Sequence, residues 1–199
     1  MNSLISTSYF PSVSYLRDLK QFNSLTMDHG EHFIKQTHRN RCEILGANGR
    51  LKLIVPLRKW KNNTPVKDIR ISYDESWQKL HWKSLESAYR SSPYFEYYED
   101  RFRALIIERQ HIYLVDLNKE ILDFIVQSLN ISLKIDYSLE YQKMEAGTDL
   151  RNKNYLLADH SEDFNAYIQV FSTDSSFEAN LSCIDLICNE GPNGINLLC

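Results

Sequence analysis

The sequence predicts a mixed α/β domain: a mixed sheet with an N-terminal βαβ unit, an inserted hairpin and several flanking helices. Three observations predict this fold class. Strand-like, helix-like and strand-like runs follow one another over the first 28 residues, which is the pattern of a βαβ unit with two parallel strands. A strong turn signal, Asn48-Gly49, separates the next two strand-like runs. Beyond residue 74, amphipathic helical runs alternate with short apolar runs.

The βαβ unit is predicted from its apolar spacing. Leu4–Tyr9 reads as a short strand, and Pro11 opens a run with apolar residues at helical spacing. Ser24–Asp28 supplies the second strand. These three runs occur in the order and at the lengths that two parallel strands and a crossover helix need.

The inserted hairpin is predicted to join Arg41–Leu45 to Leu51–Leu57. Apolar side chains dominate the second of these strands, so it is predicted to be mostly buried. Val66–Ser72 is predicted to be a further strand, because Ile69 and Ile71 alternate with charged residues.

Three helices are predicted in the middle of the chain. Asp74–Tyr89 is the clearest amphipathic run, and Pro93 separates it from a second helical run, Tyr94–Arg109. Asn118 is predicted to cap the third helix. The predicted buried face of the first helix consists of Trp77, Leu80, His81, Ser84, Leu85 and Ala88.

The last third of the chain is less regular. Ile131–Ile135 and Tyr167–Phe171 are predicted strands, whereas residues 138–163 are polar and predict no element. Ser182 begins a capping-box pattern ahead of an apolar helix that ends near Gly191. No linker or repeat interrupts the chain, so residues 1–199 are predicted to form a single domain.

Composition excludes several classes of protein. The 24 aromatic residues are too many for a disordered chain, and six glycines and five prolines exclude a collagen-like one. The net charge of −3 hides a split, because residues 1–107 sum to +6 and residues 108–199 to −9. Residues 35–70 alone carry ten basic side chains against two acidic ones.

Neither a secretory signal nor a membrane segment is recognisable, so a cytoplasmic location is expected. The four cysteines form no CxxC pair, and free thiols are predicted. No GxGxxG or Walker pattern is present, so no cofactor is predicted. His29, His32 and His38 offer zinc-ligand chemistry, but exposed loop histidines are the favoured interpretation and no metal site is predicted.

The basic run from Lys35 to Arg41 is a candidate site for a small anionic molecule. Arg39 and Arg41 flank Asn40, and guanidinium groups bind phosphate or carboxylate bidentately. A solvated basic loop is the ordinary alternative. Nucleic-acid binding is not expected because the overall charge is negative, although Trp60 and Tyr73 interleave with basic residues.

His81 is a candidate general base, because histidine titrates near neutral pH. Its position on an apolar helix face equally predicts a buried core histidine. Near the last helix, Asp185 and Asn189 could belong to a site or could be capping residues. No GxSxG elbow supports a nucleophilic serine.

Several segments together resemble the WbqC-like family of bacterial proteins. They follow the family's order and cover most of residues 9–130 and 164–198. The quoted segments are Tyr9-Phe10-Pro11, Lys35-Gln36-Thr37-His38-Arg39-Asn40-Arg41-Cys42, Ile69-Arg70-Ile71, His81-Trp82, Glu86-Ser87-Ala88-Tyr89, Ser92-Pro93-Tyr94-Phe95, and Asn180-Leu181-Ser182-Cys183-Ile184-Asp185-Leu186-Ile187-Cys188-Asn189.

The resemblance implies a role in surface-polysaccharide biosynthesis of the O-antigen type, with acyl or aminoacyl (glycine) transfer to an activated sugar. The partner would then be a small anionic or nucleotide-linked sugar substrate, and no oligomeric state is implied. The polar positions that match the family's motifs are Asn40, Arg41, His81, Tyr89, Asp185 and Asn189.

The working hypothesis is a transferase. In it Arg39 and Arg41 hold phosphate or carboxylate, His81 acts as general base, and Asn40 orients the reacting oxygen; Tyr89, Asp185 and Asn189 complete the substrate site. The alternative is a non-catalytic binding or assembly protein whose motifs determine the fold. The chain also departs from the family, since many members have His-Gln-Pro where Ile5, Ser6 and Thr7 stand.

Overall fold

The computed structural model describes residues 3–156, 164–172 and 177–198. Cys199 and part of the polar stretch at 138–163 lie outside these residues. The described part is a mixed α/β fold, as the sequence predicts. Its elements, in chain order, are β1 (Ser3–Ile5), α1 (Val13–Lys20), β2 (Ser24–Asp28), β3 (Arg41–Gly46), β4 (Gly49–Ile54), α2 (Trp77–Tyr89), α3 (Phe95–Arg103), α4 (Leu114–Ser128), β5 (Lys134–Ser138), β6 (Thr148–Asp149) and α5 (Cys183–Glu190).

The N-terminal βαβ unit is confirmed. β1 and β2 are parallel, with Leu4 opposite Thr26, and α1 connects them. Ser12 caps α1, and its hydroxyl accepts a hydrogen bond from the Tyr15 backbone N–H. β1 is shorter than the predicted Leu4–Tyr9 because the chain leaves the sheet after Ile5 and reaches a positive φ of 39° at Phe10.

The parallel sheet has the strand order β5-β2-β1-β6. From β1 the chain proceeds through β2 to β5 on one side and then returns to place β6 on the other side of β1. The gap between β1 and β6 is therefore a topological switch point, where open parallel sheets commonly bind ligands. The strand β6 comes from the polar stretch in which the sequence predicts no element.

The predicted hairpin is present as the antiparallel pair β3–β4, closed by Ala47 and Asn48. Gly49 adopts a positive φ of 97°, which glycine allows without strain. The predicted burial of the second strand is wrong in part. Only Leu53 is buried within β4, while Leu51 is 42% exposed, because one face of this two-stranded sheet is left uncovered.

Two predicted strands are wrong. Val66–Asp68 forms a 3₁₀ turn, because the Asp68 and Ile69 N–H groups donate back to the Pro65 and Val66 carbonyls and not to a partner strand. The predicted strand Tyr167–Phe171 is also absent. There the Gln169 side-chain amide bonds to both the N–H and the carbonyl of Glu178, in the place that a strand partner would occupy.

The middle helices form as predicted, with shifted boundaries. α2 begins at Trp77 and leaves Leu80 64% exposed, so that residue is wrongly placed on the buried face. α4 begins at Leu114, ahead of the predicted cap. Asn118 therefore lies inside the helix, and its side chain donates to the Arg39 carbonyl instead of capping.

The last helix, α5, lies inside the core. Ser182 caps it, as predicted, and every residue from Cys183 to Asn189 is buried. Cys42, Cys183 and Cys188 are free thiols, in agreement with the sequence analysis. Within the described ranges, none of the helices has the length and apolar character needed to cross a membrane.

Gly30 provides a test of the packing around the carboxyl end of β2. A Cβ atom at this position would lie 2.2 Å from the backbone of Glu140 and Tyr141, and backbone cannot move aside cheaply. We expect Gly30→Ala to lower the free energy of unfolding by about 1–3 kcal/mol in urea denaturation. Gly46→Ala is the matched control, because its nearest neighbour is 3.8 Å away. If both variants lose the same free energy of unfolding, the close contact between Gly30 and the backbone of Glu140 and Tyr141 is contradicted.

Candidate anion-binding site

A buried polar region lies where β1 and β6 end. The chain leaving β1 contributes Ser6, Thr7 and Ser8, all buried, and the chain leaving β6 contributes Arg151. The segment 37–41 covers this region ahead of β3. Three of the residues predicted for the site, Arg39, Asn40 and Arg41, therefore lie at the switch point of the sheet.

Arg39 is only 1% exposed, and a carboxylate already holds its guanidinium. Its Nε donates to Glu31 Oε1 at 2.9 Å and its Nη2 to Glu31 Oε2 at 2.7 Å, which is the bidentate fork geometry. Nη2 also donates to the Arg151 carbonyl. Burial raises the pKa of Glu31, although the paired Arg39 acts to lower it. The predicted role of Arg39 in holding substrate stays a prediction, and in the structure its Nε and Nη2 serve an internal ion pair.

Arg151 forms a second buried ion pair that the sequence analysis did not identify. Its guanidinium donates to Asp28 at the end of β2 and to Asp149 in β6, and its side chain is 6% exposed. Asp28 precedes Arg151 by 123 residues, and no local pattern connects them. Two cations, Arg39 and Arg151, thus face three carboxylates in this layer, so neither guanidinium is left with an unpaired charge.

Arg41 behaves differently from Arg39. It lines a small cavity of about 10 Å³ whose wall also includes Ser8, His38, Asn180 and Ser182. Its buried Nε has no hydrogen-bond partner among the described residues. Glu43 also lines this cavity, but its carboxylate is within ion-pair distance of Arg50 and Lys52. We call this cavity the Arg41 pocket; its volume suits one water-sized polar group.

His38 supplies the second unpartnered nitrogen of the Arg41 pocket. The side chain is 2% exposed; Nε2 lies 2.7 Å from Ser6 Oγ, and Nδ1 has no partner in the described part of the chain. Burial, with the charge of Arg39 nearby, lowers the pKa of His38 to about 3, so the imidazole is neutral at pH 7. If the Ser6 hydroxyl donates to Nε2, the ring proton sits on Nδ1. The sequence analysis favoured an exposed loop histidine over a metal ligand at this position, and the burial of His38 shows that this expectation is wrong.

Asn40 lies between these two residues and holds β3 to the chain after β4. Its Nδ2 donates to the Val55 carbonyl at 2.9 Å, and its own carbonyl accepts from the Val55 N–H. The side-chain Oδ1 is buried and has no partner within the described ranges. The predicted role of Asn40, orienting a reacting oxygen, would fall to its amide oxygen or nitrogen and remains a prediction.

His81 lies in a different place. It is 2% exposed, packs against Trp77 at a ring-centroid distance of 5.0 Å, and lines a groove of about 370 Å³ between β4 and α2. Its Nδ1 lies 2.9 Å from the Tyr9 hydroxyl. Burial lowers the pKa of His81 to about 4, against a smaller opposing effect of a hydrogen bond to the Ile54 backbone. Both ring nitrogens therefore have partners.

Tyr89, Asp185 and Asn189 form a third group, of which Asp185 and Asn189 belong to α5 itself. Asp185 is fully buried and accepts from the Tyr167 hydroxyl at 2.7 Å and from Gln169 Nε2 at 2.8 Å. Burial raises the pKa of this carboxyl. Asn189 donates to the Asp185 carbonyl, and the Tyr89 hydroxyl accepts from the Leu45 N–H.

The seven predicted residues therefore occupy three places. Arg39, Asn40 and Arg41 lie at the switch point, His81 lines the groove beside β4, and the remaining three lie in or against α5. The histidines considered as zinc ligands do not assemble into a cluster either. Within residues 3–156, 164–172 and 177–198, no three His, Cys, Asp or Glu side chains are arranged so that they could hold a metal ion.

Comparison with known proteins identifies the family. The model of the WbqC-like protein family matches residues 7–168, most of the chain. The chain belongs to the WbqC-like protein family. Within that match lie the Arg41 pocket's His38 and Arg41 as well as His81 and Tyr89, whereas Asp185 and Asn189 lie beyond it.

One curated relative is an uncharacterised protein of Mycobacterium tuberculosis, Rv1507c. It is 24% identical over 148 residues, which are 74% of this chain and 64% of the relative. The chain thus spans under two thirds of the relative's length. No solved structure matches this WbqC-like chain.

The Arg39–Glu31 pair can be tested by removing one or both charges. Arg39→Ala leaves Glu31 buried without its cation, so we expect the free energy of unfolding to fall by roughly 3–5 kcal/mol. Combining Arg39→Met with Glu31→Leu should cost less, because no buried charge remains. Lys119→Ala, which removes an exposed ion pair with Asp123, is the control and should cost under about 1 kcal/mol. A double variant as unstable as Arg39→Ala would show that packing, not charge, sets the loss.

The buried histidines predict how stability depends on pH. The folded-state pKa values of His38, about 3, and His81, about 4, lie below the ordinary 6.5. Below pH 6.5 the unfolded chain therefore binds protons that the folded chain does not. The contribution of the neutral histidines to the free energy of unfolding is fully present above pH 6.5. It decreases as the pH falls, by about 2 kcal/mol per histidine between pH 7 and 5.

Urea denaturation at several pH values measures this dependence. His38→Gln and His81→Gln should each flatten the profile between pH 7 and 5, whereas His32→Gln should not, because His32 is exposed. If neither buried-site variant changes the slope, the two imidazoles do not resist protonation in the folded state.

Proposed function

We propose that this WbqC-like chain is a cytoplasmic transferase of surface-polysaccharide biosynthesis, acting by acyl or aminoacyl transfer on an anionic, activated sugar. The observation that carries the proposal is that two residues lining one pocket at the switch point of the sheet, Arg41 and His38, each have a buried, unpartnered nitrogen, Nε and Nδ1 respectively. Buried polar atoms in native proteins usually have partners, so two exceptions on one cavity favour a ligand.

The chemistry available at the Arg41 pocket is binding of one negatively charged oxygen. Arg41 Nε donates a charged hydrogen bond. His38 donates a second one from Nδ1 when the Ser6 hydroxyl donates to its Nε2. The cavity volume of about 10 Å³ accepts a single oxygen. That oxygen belongs either to a phosphate or carboxylate of the substrate or to the oxyanion that develops when an amine or hydroxyl attacks an acyl carbonyl.

We assign the general base of the proposed reaction to His81, as in the sequence analysis, although the groove that His81 lines shares no lining residue with the Arg41 pocket. The acceptor would therefore have to extend from that groove to the bound anion. This assignment requires His81 to release its bond to Tyr9 or to Ile54, because both ring nitrogens are occupied in the structure. Asn40 would orient the reacting oxygen through its unpartnered Oδ1. The roles of Arg41 and His81 are therefore separable by experiment.

A second candidate function is a non-catalytic binding or assembly protein. The enclosed and fully partnered His81 supports it, as do Tyr89, Asp185 and Asn189, whose hydrogen bonds are all internal to the fold. In this interpretation the family's motif residues stabilise the domain, and the Arg41 pocket holds no substrate.

Arg41→Ala tests the proposed function. We expect one of a panel of nucleotide sugars and aminoacyl donors to raise the Tm of the wild-type protein. A ligand at about 100 times its Kd adds about 2.7 kcal/mol, or roughly 5–10 °C for a chain of this size. Arg41→Ala should weaken binding roughly 10- to 100-fold, because a charged hydrogen bond is lost. Arg103→Ala, on the exposed end of α3, is the control with the same charge change.

His81→Ala separates the proposed role of His81 as general base from the proposed role of Arg41 in binding. A variant that binds the ligand but transfers no acyl group supports His81 as the base, whereas unchanged activity refutes that assignment and leaves the Arg41 pocket standing. If no ligand of the panel shifts the Tm of the wild type, the binding or assembly function is favoured instead.

A further inference from the structure

A second basic site lies away from the Arg41 pocket, on the face where three chain segments meet. The segments around Leu57, Ile71 and Tyr113 are joined by an antiparallel bridge between Leu57 and Ile71 and by another between Arg70 and Tyr113. Backbone hydrogen bonds run from Arg58 N–H to the Arg70 carbonyl and from Ile71 N–H to the Ile112 carbonyl. These contacts bring Arg58 and Arg70 to neighbouring segments of one small sheet.

The two arginines line one open cleft of about 330 Å³, which we call the Arg58–Arg70 cleft. Its other walls include Tyr73, His111 and Ile112. This volume lies in the range of small-molecule sites. The cleft and the Arg41 pocket share no lining residue, so binding at this cleft does not depend on the proposed function.

Neither guanidinium in the Arg58–Arg70 cleft is neutralised. Among the described residues no carboxylate lies within 4.0 Å of either one, whereas Arg39, Arg50, Arg90, Arg109 and Arg151 all have carboxylate partners. The Arg70 side chain is held over the Tyr113 ring at 5.4 Å and donates to its hydroxyl. One of the two cations is therefore oriented before any ligand binds, which reduces the entropy lost on binding.

The remaining walls of the cleft suit a planar group. The Tyr73 hydroxyl is tied to the backbone of His111, donating to its carbonyl and accepting from its N–H, both at 3.0 Å. The Tyr73 ring is thus fixed as a wall. Ile112, 63% exposed, adds an apolar rim. Rings and arginine planes of this kind stack on heterocyclic bases.

The positive surface of the cleft is bounded. His111 Nε2 lies 3.5 Å from a Glu120 carboxylate oxygen, and Glu120 also pairs with Arg109 at 2.7 Å. A continuous track of cations, which a nucleic-acid strand needs, therefore stops at Glu120. The protein as a whole carries a net charge of −3, which also favours a compact phosphate over a polymer.

We propose that the Arg58–Arg70 cleft binds the phosphate groups of a small organic phosphate that carries a planar ring, of the nucleoside diphosphate class. Arg58 and Arg70 contact the phosphate oxygens through their guanidinium forks. The Tyr73 ring and Ile112 contact the planar group. The phosphate end and the ring end of the ligand can be tested separately.

Isothermal titration of the full chain with inorganic pyrophosphate and with ADP tests the proposal. We expect saturable binding of both, with ADP the tighter because only ADP contacts Tyr73. Arg58→Ala and Arg70→Ala should each raise the Kd for both probes roughly tenfold or more. Arg70→Lys should bind with intermediate affinity because it keeps the charge but not the fork. Tyr73→Leu should weaken ADP selectively.

Arg103→Ala is the control, because it removes an exposed arginine elsewhere, and it should leave the Kd for ADP unchanged. Arg41→Ala removes the cation of the other pocket and so distinguishes the two sites. Arg58 and Arg70 are exposed, so their variants should keep the wild-type Tm. A loss of ADP binding in Arg41→Ala with retention in Arg70→Ala would overturn the site.

Two further results would also overturn the proposal. One is the absence of saturable binding of either probe to the wild type at millimolar concentration. The other is binding of a single-stranded oligonucleotide, but not of ADP, with an affinity that falls steeply as salt rises from about 50 to about 200 mM; that result would assign the cleft to nucleic acid.

Discussion

The buried ion pair between Arg39 and Glu31 is the interaction on which the candidate site depends. A charge at 1% exposure is tolerated only when its hydrogen bonds are complete, and Arg39 meets that requirement with both oxygens of Glu31 and the carbonyl of Arg151. This set of bonds joins the chain after β2, the chain before β3 and the chain after β6.

The backbone of residues 38–40 is fixed at the same place. The Arg39 carbonyl accepts from Asn118 in α4, the His38 carbonyl accepts from the Tyr9 N–H, and the Asn40 carbonyl accepts from the Val55 N–H. Three separate chain segments thus hold three successive carbonyls. The backbone that carries His38 and leads into Arg41 is therefore fixed by the fold.

Sequence patterns predict an element correctly where the stabilising contacts are between residues close in sequence. The cap of α5 is an example, because the Ser182 hydroxyl accepts a hydrogen bond from the Ile184 N–H. In contrast, β6 has two residues in a polar stretch and exists because β1 offers an unpaired edge. The site divides in the same way. The sequence shows the basic run. It does not show that Arg39 pairs with Glu31, or that Arg41 Nε has no partner in the described part of the chain. The apolar helix face predicts that His81 is buried. It cannot show that the hydroxyl of Tyr9, 72 residues away, is the hydrogen-bond partner of His81 Nδ1.

The departure from the family pattern that the sequence analysis expects falls on the same site. That expectation sets a His-Gln-Pro sequence against Ile5, Ser6 and Thr7 of this chain, at the carboxyl end of β1. Ser6 is fully buried, its hydroxyl is the partner of His38 Nε2, and its carbonyl accepts from the Tyr15 hydroxyl. A serine hydroxyl at this position can both donate and accept. The tautomer of His38 therefore depends on the Ser6 hydroxyl, and with it the donor or acceptor character of the unpartnered Nδ1.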